Sequence, residues 1–168
     1  MNERDVVEIY DALSAQGVDI WIDGGWCVDA LLGLQTREHS DLDIAVGRRD
    51  ETAARAVLRS LGFVKCARHG DSDWNYTVWD ALNRGVDVHV FDYDERGANT
   101  YGVAYPWGSL TGWGTLAGRE VRCVAPASMF AFKTAYSPSE KDLEDVRALA
   151  DRFGFEVPAT HRKLARST

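Results

Sequence analysis

The segment Asp41-Leu42-Asp43-Ile44-Ala45-Val46 constrains this chain more than any other, because it alternates polar and apolar residues with period two. Such alternation marks a β-strand buried on one face. Residues i and i+2 of a strand share a face, so Asp41 and Asp43 project side by side. Two adjacent carboxylates repel, and burying them unpaired is costly. A divalent cation relieves both penalties, and hard oxygen donors suit magnesium. A bare Asp-x-Asp pair can equally well do no more than solvate an edge strand. Val86-Asp87-Val88-His89-Val90 sharpens the signal, since the same rule puts Asp87 and His89 on one face between core valines. If the two strands are neighbours, three carboxylates converge, as two-metal phosphoryl and nucleotidyl transfer requires.

Around these strands the chain reads as one domain, residues 1–168, long enough to bury a sizeable core. Asn2 caps a helix carrying Val6, Val7, Ile9, Tyr10 and Leu13 inward, stopped by Gly17. A short strand over residues 19–22 is broken by Gly24-Gly25, and a helix follows from Trp26 to Leu32. Another helix spans residues 50–61. Strands are expected at 63–67, 74–79 and 86–91. Residues 92–120, rich in Gly, Tyr and Trp without a clean period, read as a long functional loop with one hairpin into 121–124. Two helices, 126–136 and 139–153, close the chain and pack on the sheet. The second opens with the capping signature Ser139-Glu140-Lys141-Asp142 and carries the core stripe Leu143, Val146, Leu149 and Phe153. The fold class is α+β or α/β, a mixed twisted sheet flanked by helices.

Charge and cysteine usage narrow the partners. With 26 acidic against 19 basic residues the formal charge is -7, and no Lys/Arg block offers a nucleic acid a landing site. The acidity instead favours cationic small molecules. Cys27, Cys66 and Cys123 lack metal or redox spacing and read as free thiols of a reducing compartment. The polar start and the lack of any apolar run near ~20 residues point to a cytoplasmic protein without membrane contact.

Lesser signals surround the acidic strands. Gly24-Gly25 at a strand end leading into a helix offers backbone N–H groups to a triphosphate, although an ordinary tight turn has the same composition. Arg37 reads as a phosphate clamp or as a partner for Glu38. Lys133, in the apolar run Met129-Phe130-Ala131-Phe132-Lys133, either snorkels to solvent or touches phosphate. Neither Walker nor dinucleotide-binding glycine patterns are present. An EF-hand is excluded because Arg96 and Val103 stand where oxygen donors should be. Trp74, Tyr76, Trp79, Tyr101, Tyr105, Trp107 and Trp113 concentrate in the middle of the chain. They read either as core or as the lining of an acidic, aromatic cleft for an amine-bearing ligand.

The run from Trp21 to Gly33, with Asp23-Gly24-Gly25-Trp26 and Asp29, followed by Thr36-Arg37-Glu38-His39-Ser40-Asp41-Leu42-Asp43-Ile44, resembles the small lincosamide nucleotidyltransferases and the aminoglycoside 2''-nucleotidyltransferases of the DNA polymerase β superfamily. The likeness continues more loosely through residues 86–89 and 121–124 into the last two helices. It implies the nucleotidyltransferase fold and adenylylation of a small-molecule hydroxyl, on a lincosamide first and an aminoglycoside second. ATP is the implied co-substrate, with two magnesium ions. Asp41, Asp43 and Asp87 would be the metal ligands and catalytic carboxylates, Asp87 sharing a metal or accepting the proton of the attacking hydroxyl. Gly24, Gly25, Arg37, Lys133 and Lys141 would hold the nucleotide. His89, Tyr101 and Trp107 are the candidates for contact with the acceptor. His39, Asp23 and Asp29 fit the signature, with capping or packing roles as open as catalytic ones. Pairing of two copies as a homodimer is left open, as are a protein or RNA acceptor and a silent nucleotide-binding module.

Overall fold

β-Branched residues dominate the strand that organises the sheet, Gly85–Tyr93, where Val86, Val88 and Val90 are all buried. Burying one such side chain stabilises the fold by roughly 1.5–3 kcal/mol. In the computed structural model, which describes residues 1–65 and 72–162, the elements in order are α1 (Glu3–Ala15), β1 (Ile20–Ile22), α2 (Gly24–Leu32), β2 (Asp41–Gly47), α3 (Glu51–Ser60), β3 (Val64–Lys65), β4 (Asn75–Trp79), β5 (Gly85–Tyr93), β6 (Asn99–Gly102), β7 (Gly112–Leu116), β8 (Arg119–Cys123), α4 (Pro126–Thr134) and α5 (Glu140–Phe153). The strands form one mixed sheet in the order β3-β4-β5-β2-β1-β8-β7. β6 pairs with β5 beyond the end of β4. The two strands expected to be neighbours are neighbours: β2 runs parallel to β5 over its whole length.

The apolar face of the sheet joins Val6, Ile9 and Leu13 of α1 and Ala54 and Leu58 of α3 in one hydrophobic core. Asn2 and Asp5 form the capping box that starts α1, and Ser139 with Asp142 does the same for α5. Such caps satisfy backbone donors that a helix start otherwise leaves unpaired. α4 and α5 pack on each other and against α2, which lies against β2, β7 and β8. Among the described residues no helix is long and apolar enough to cross a membrane.

Three expectations need correction. Residues 92–120 are less of a loop than expected: the hairpin into 121–124 is present as β7 and β8, and β6 is an additional strand, leaving 103–111 as the irregular stretch. Glycines hid these strands from a period-two reading. A Cβ at Gly112 or Gly114 would collide with the backbone of Val124 or Ala30, so close packing replaced side-chain alternation there. α2 begins at Gly24 rather than Trp26, because Asp23 caps it and folds the glycine pair into its first turn. On α5, Leu143 is only half-buried, while Asp142 and Asp145 turn inward beside Val146 and Leu149. Of the strand expected at 63–67, Val64–Lys65 form the short β3, and Cys66 and Ala67 lie outside the described residues. Cys27 and Cys123 are free and buried.

Candidate active site

Strand register assembles the acidic centre. Asp43 of β2 pairs with Asp87 of β5, and Asp41 lies two residues earlier on the same face. Thr77 of β4 completes the row beside Asp87. Burial pushes the Asp43 carboxyl up to about 6. His89 pulls it back, while Asp23, Asp41 and Asp87 add to the rise. Asp87 Oδ1 is buried and has no hydrogen-bond partner among the described residues. A buried carboxylate oxygen left open calls for a cation or a proton donor. Among the described residues no three acidic, histidine or cysteine side chains are placed to hold an ion by themselves. Magnesium needs no such cage, since it usually takes one or two carboxylates and completes its shell with phosphates and water. The donor chemistry of Asp41, Asp43 and Asp87 therefore suits that ion.

A polar chain supports the row from behind. The Tyr105 hydroxyl donates to Asp23 Oδ2 at 2.5 Å. His89 Nδ1 lies 3.2 Å from the Tyr105 oxygen and 3.5 Å from Asp23 Oδ2, and its Nε2 stands 4.0 Å from Asp43 Oδ1. Burial alone would raise the Asp23 carboxyl, yet His89, Tyr105 and the Gly24 N–H outweigh it and hold Asp23 below its ordinary value. Burial opposes charge on His89, and Asp23, Asp43 and Asp87 together reverse that, raising its pKa. His89 thus stands between the capping aspartate of α2 and the carboxylate row.

A cavity of about 580 Å³ opens over Asp41 and Asp43. Gly24, Gly25, His39 and His89 line it as well, and Arg37, Lys133 and Lys141 bring the opposite charge beside Tyr136 and Asp142. Both glycines are required by close approach. A Cβ at Gly24, whose φ is +61°, would stand 2.0 Å from Asp43 Oδ2. One at Gly25 would stand 2.4 Å from Arg37 Nη2 and 2.6 Å from His39 Nδ1. His39 is buried, stacks on Trp26 with centroids 4.3 Å apart, and meets Asp29 at 2.5 Å through Nε2. Asp29 also receives the Thr36 hydroxyl, so it organises the loop that delivers Arg37 and Asp41.

Most residues singled out in the sequence meet here: Asp41, Asp43, Gly24, Gly25, Arg37, Lys133, Lys141 and His89 line one cavity, with Asp87 in register beside Asp43. Tyr101 and Trp107 do not. Tyr101 sits on β6 under Arg48, 4.2 Å from its ring centre, and Trp107 is 71% exposed against Tyr93. β6 joins β5 at Phe91 and beyond, four residues past Asp87 or about 13 Å of strand, which carries both aromatics away from the row. The aromatic side chains lining the cavity come instead from α4 and its end, Phe132 and Tyr136. Arg37 pairs with Asp145 rather than with the Glu38 carboxylate. Lys133 neither snorkels nor stands alone, being buried against Asp145 at 2.8 Å and Asp142 at 3.3 Å. Asp145 is not among the residues that the sequence singles out, and Tyr105 stands there only among the aromatics of the middle segment. A signal for Asp145 existed, because Asp142, Asp145, Val146 and Leu149 follow helical spacing and two inward carboxylates need cations.

A family model described as aminoglycoside-2''-adenylyltransferase matches residues 5–149. A lincosamide resistance protein of Staphylococcus haemolyticus is 26% identical over 157 residues, covering 89% of this chain and 94% of that protein. The crystal structure of the lincosamide antibiotic adenylyltransferase LnuA, lincomycin-bound, superposes with a TM-score of 0.77 at 22% identity, over 90% of this chain and 98% of that one. ANT(2'')-Ia in complex with adenylyl-2''-tobramycin superposes with a TM-score of 0.74 at 22% identity, over 89% and 87% of the two chains. The homologues are antibiotic nucleotidyltransferases, and the mixed sheet flanked by helices is the fold they share with this chain.

Proposed function

The chain belongs to the aminoglycoside-2''-adenylyltransferase family, and from that premise we propose that it is an ATP- and magnesium-dependent enzyme adenylylating a hydroxyl of a small antibiotic. A lincosamide is the first choice of acceptor, because the relative matched over nearly its whole length is a lincosamide resistance protein. An aminoglycoside is the second. The observation that carries the reading is the pairing of Asp43 with Asp87 beside Asp41, with a buried Asp87 oxygen open and cationic side chains lining the same cavity as Asp41 and Asp43.

In the proposed reaction the acceptor hydroxyl attacks the α-phosphorus of ATP in line with departing pyrophosphate. Asp87 takes the hydroxyl proton as the new O–P bond forms and the bond to pyrophosphate breaks. Asp41, Asp43 and Asp87 would hold magnesium, which when bound offsets the charge developing on the phosphates. Arg37, Lys133 and Lys141, which line the same cavity, contribute N–H donors to the triphosphate. His89 holds Asp23 and Asp43 at fixed separation, so the row is organised before ATP arrives.

Pyrophosphate release measured with ATP and magnesium, in the presence of lincosamides, aminoglycosides or no acceptor, tests the reading. Release stimulated by a lincosamide is expected. Release independent of every drug, with label from ATP found on protein or RNA, would replace the antibiotic by a macromolecular acceptor.

A further inference from the structure

Two of the cations facing the cavity are aimed by a carboxylate that does not itself line it. Asp145 on α5 is 2% exposed. Arg37 Nε and Nη2 donate to its two oxygens, each at 3.0 Å, in a fork that fixes the guanidinium plane. Lys133 Nζ from α4 reaches the same Oδ2 at 2.8 Å. One buried group thus ties the loop before β2, α4 and α5 together. Of five Arg37 N–H donors, two go to Asp145 and one to the Glu38 carbonyl, leaving two. Lys133 has three, with Asp145 and Asp142 engaging two. The remaining donors belong to side chains lining the same cavity as Asp41 and Asp43.

We propose that Asp145 is a positioning residue that presets Arg37 and Lys133 to receive the β- and γ-phosphates of the nucleotide, the α-phosphate lying toward the carboxylate row. The inference rests on the reading of this cavity as an ATP site. Burial opposes both cations and Asp145 more than offsets it, so they stay charged without a ligand. A site built this way loses little side-chain entropy on binding.

Calorimetric titration of the full-length protein with ATP and, separately, AMP, both with magnesium, tests this. Asp145→Asn should weaken ATP about tenfold to a hundredfold, the loss expected when charge-assisted hydrogen bonds are misaligned, and leave AMP binding unchanged. A purely structural role would weaken both ligands alike, and that result overturns the proposal. Unchanged or tighter ATP binding also overturns it, because Asp145 would then be neutral or a competitor for the cations. If Asp145→Asn does not fold, Arg37→Lys takes its place. An ammonium cannot span both Asp145 oxygens, so the same split between ATP and AMP is expected, and equal losses count against the proposal. A wild-type protein that binds no ATP refutes the ATP-site reading itself, an outcome separate from the behaviour of either variant.

Discussion

Gly24 and Asp43 illustrate how closely individual residues are matched. The glycine has a positive φ of +61° and leaves no room for a methyl group beside the Asp43 carboxylate. Gly24→Ala would strain the backbone and push Asp43 aside. A displacement near 1 Å at a reacting centre costs about 100-fold in rate, so we expect a loss of that order with the far-ultraviolet spectrum retained. Asp43→Ala goes further. It removes a group that Asp23, Asp41 and Asp87 all repel, so turnover should vanish while the melting temperature in the presence of a chelator stays level or rises. Wild-type-like turnover in Asp43→Ala would remove this carboxylate from the chemistry. At this scale the sequence was most informative. Asp41, Asp43 and Asp87 could be placed on shared faces because strand alternation is a local rule, needing no knowledge of the rest of the chain.

Among the elements, α5 joins folding to the site. Asp142 caps the helix through the Ser139 backbone and hydroxyl, accepts from Tyr136, and pairs with Lys133. Burial alone would raise its carboxyl, but those donors hold it far below the ordinary carboxylate range. Its stabilising effect is therefore complete above the unfolded-state value near 3.9 and disappears as pH falls toward the lower folded value. Asp142→Asn should cost about 0.5–2 kcal/mol at pH 7, the range for a lost helix cap. The gap from wild type in thermal unfolding should narrow below about pH 4. A gap that widens in acid would contradict the assignment. The capping signature was visible in four consecutive residues, whereas the inward turn of Asp145 depends on cations 108 residues away in sequence and on α4.

For the molecule as a whole, one core runs from α1 through the sheet to Met129 of α4 and Leu149 of α5. A single cooperative unfolding transition is therefore expected. Ile44 lies in the middle of β2 with no exposed surface. Ile44→Ala should cost about 2–5 kcal/mol, shifting circular dichroism and tryptophan fluorescence midpoints together. Midpoints that separate would show the terminal helices unfolding as a unit of their own.

The sequence by itself determined the strands that carry the carboxylates, the caps of α1 and α5, and the glycine pair at the head of α2. Each depends on periodicity or hydrogen bonding within a few residues. Only the tertiary structure decided that Arg37 and Lys133 meet on Asp145, that Tyr105 rather than Tyr101 or Trp107 reaches the site's polar network, and that residues 99–102 pair with β5 as β6. Those outcomes turn on which neighbours a buried charge or a glycine encounters. Such neighbours arrive from distant segments once the sheet order is set.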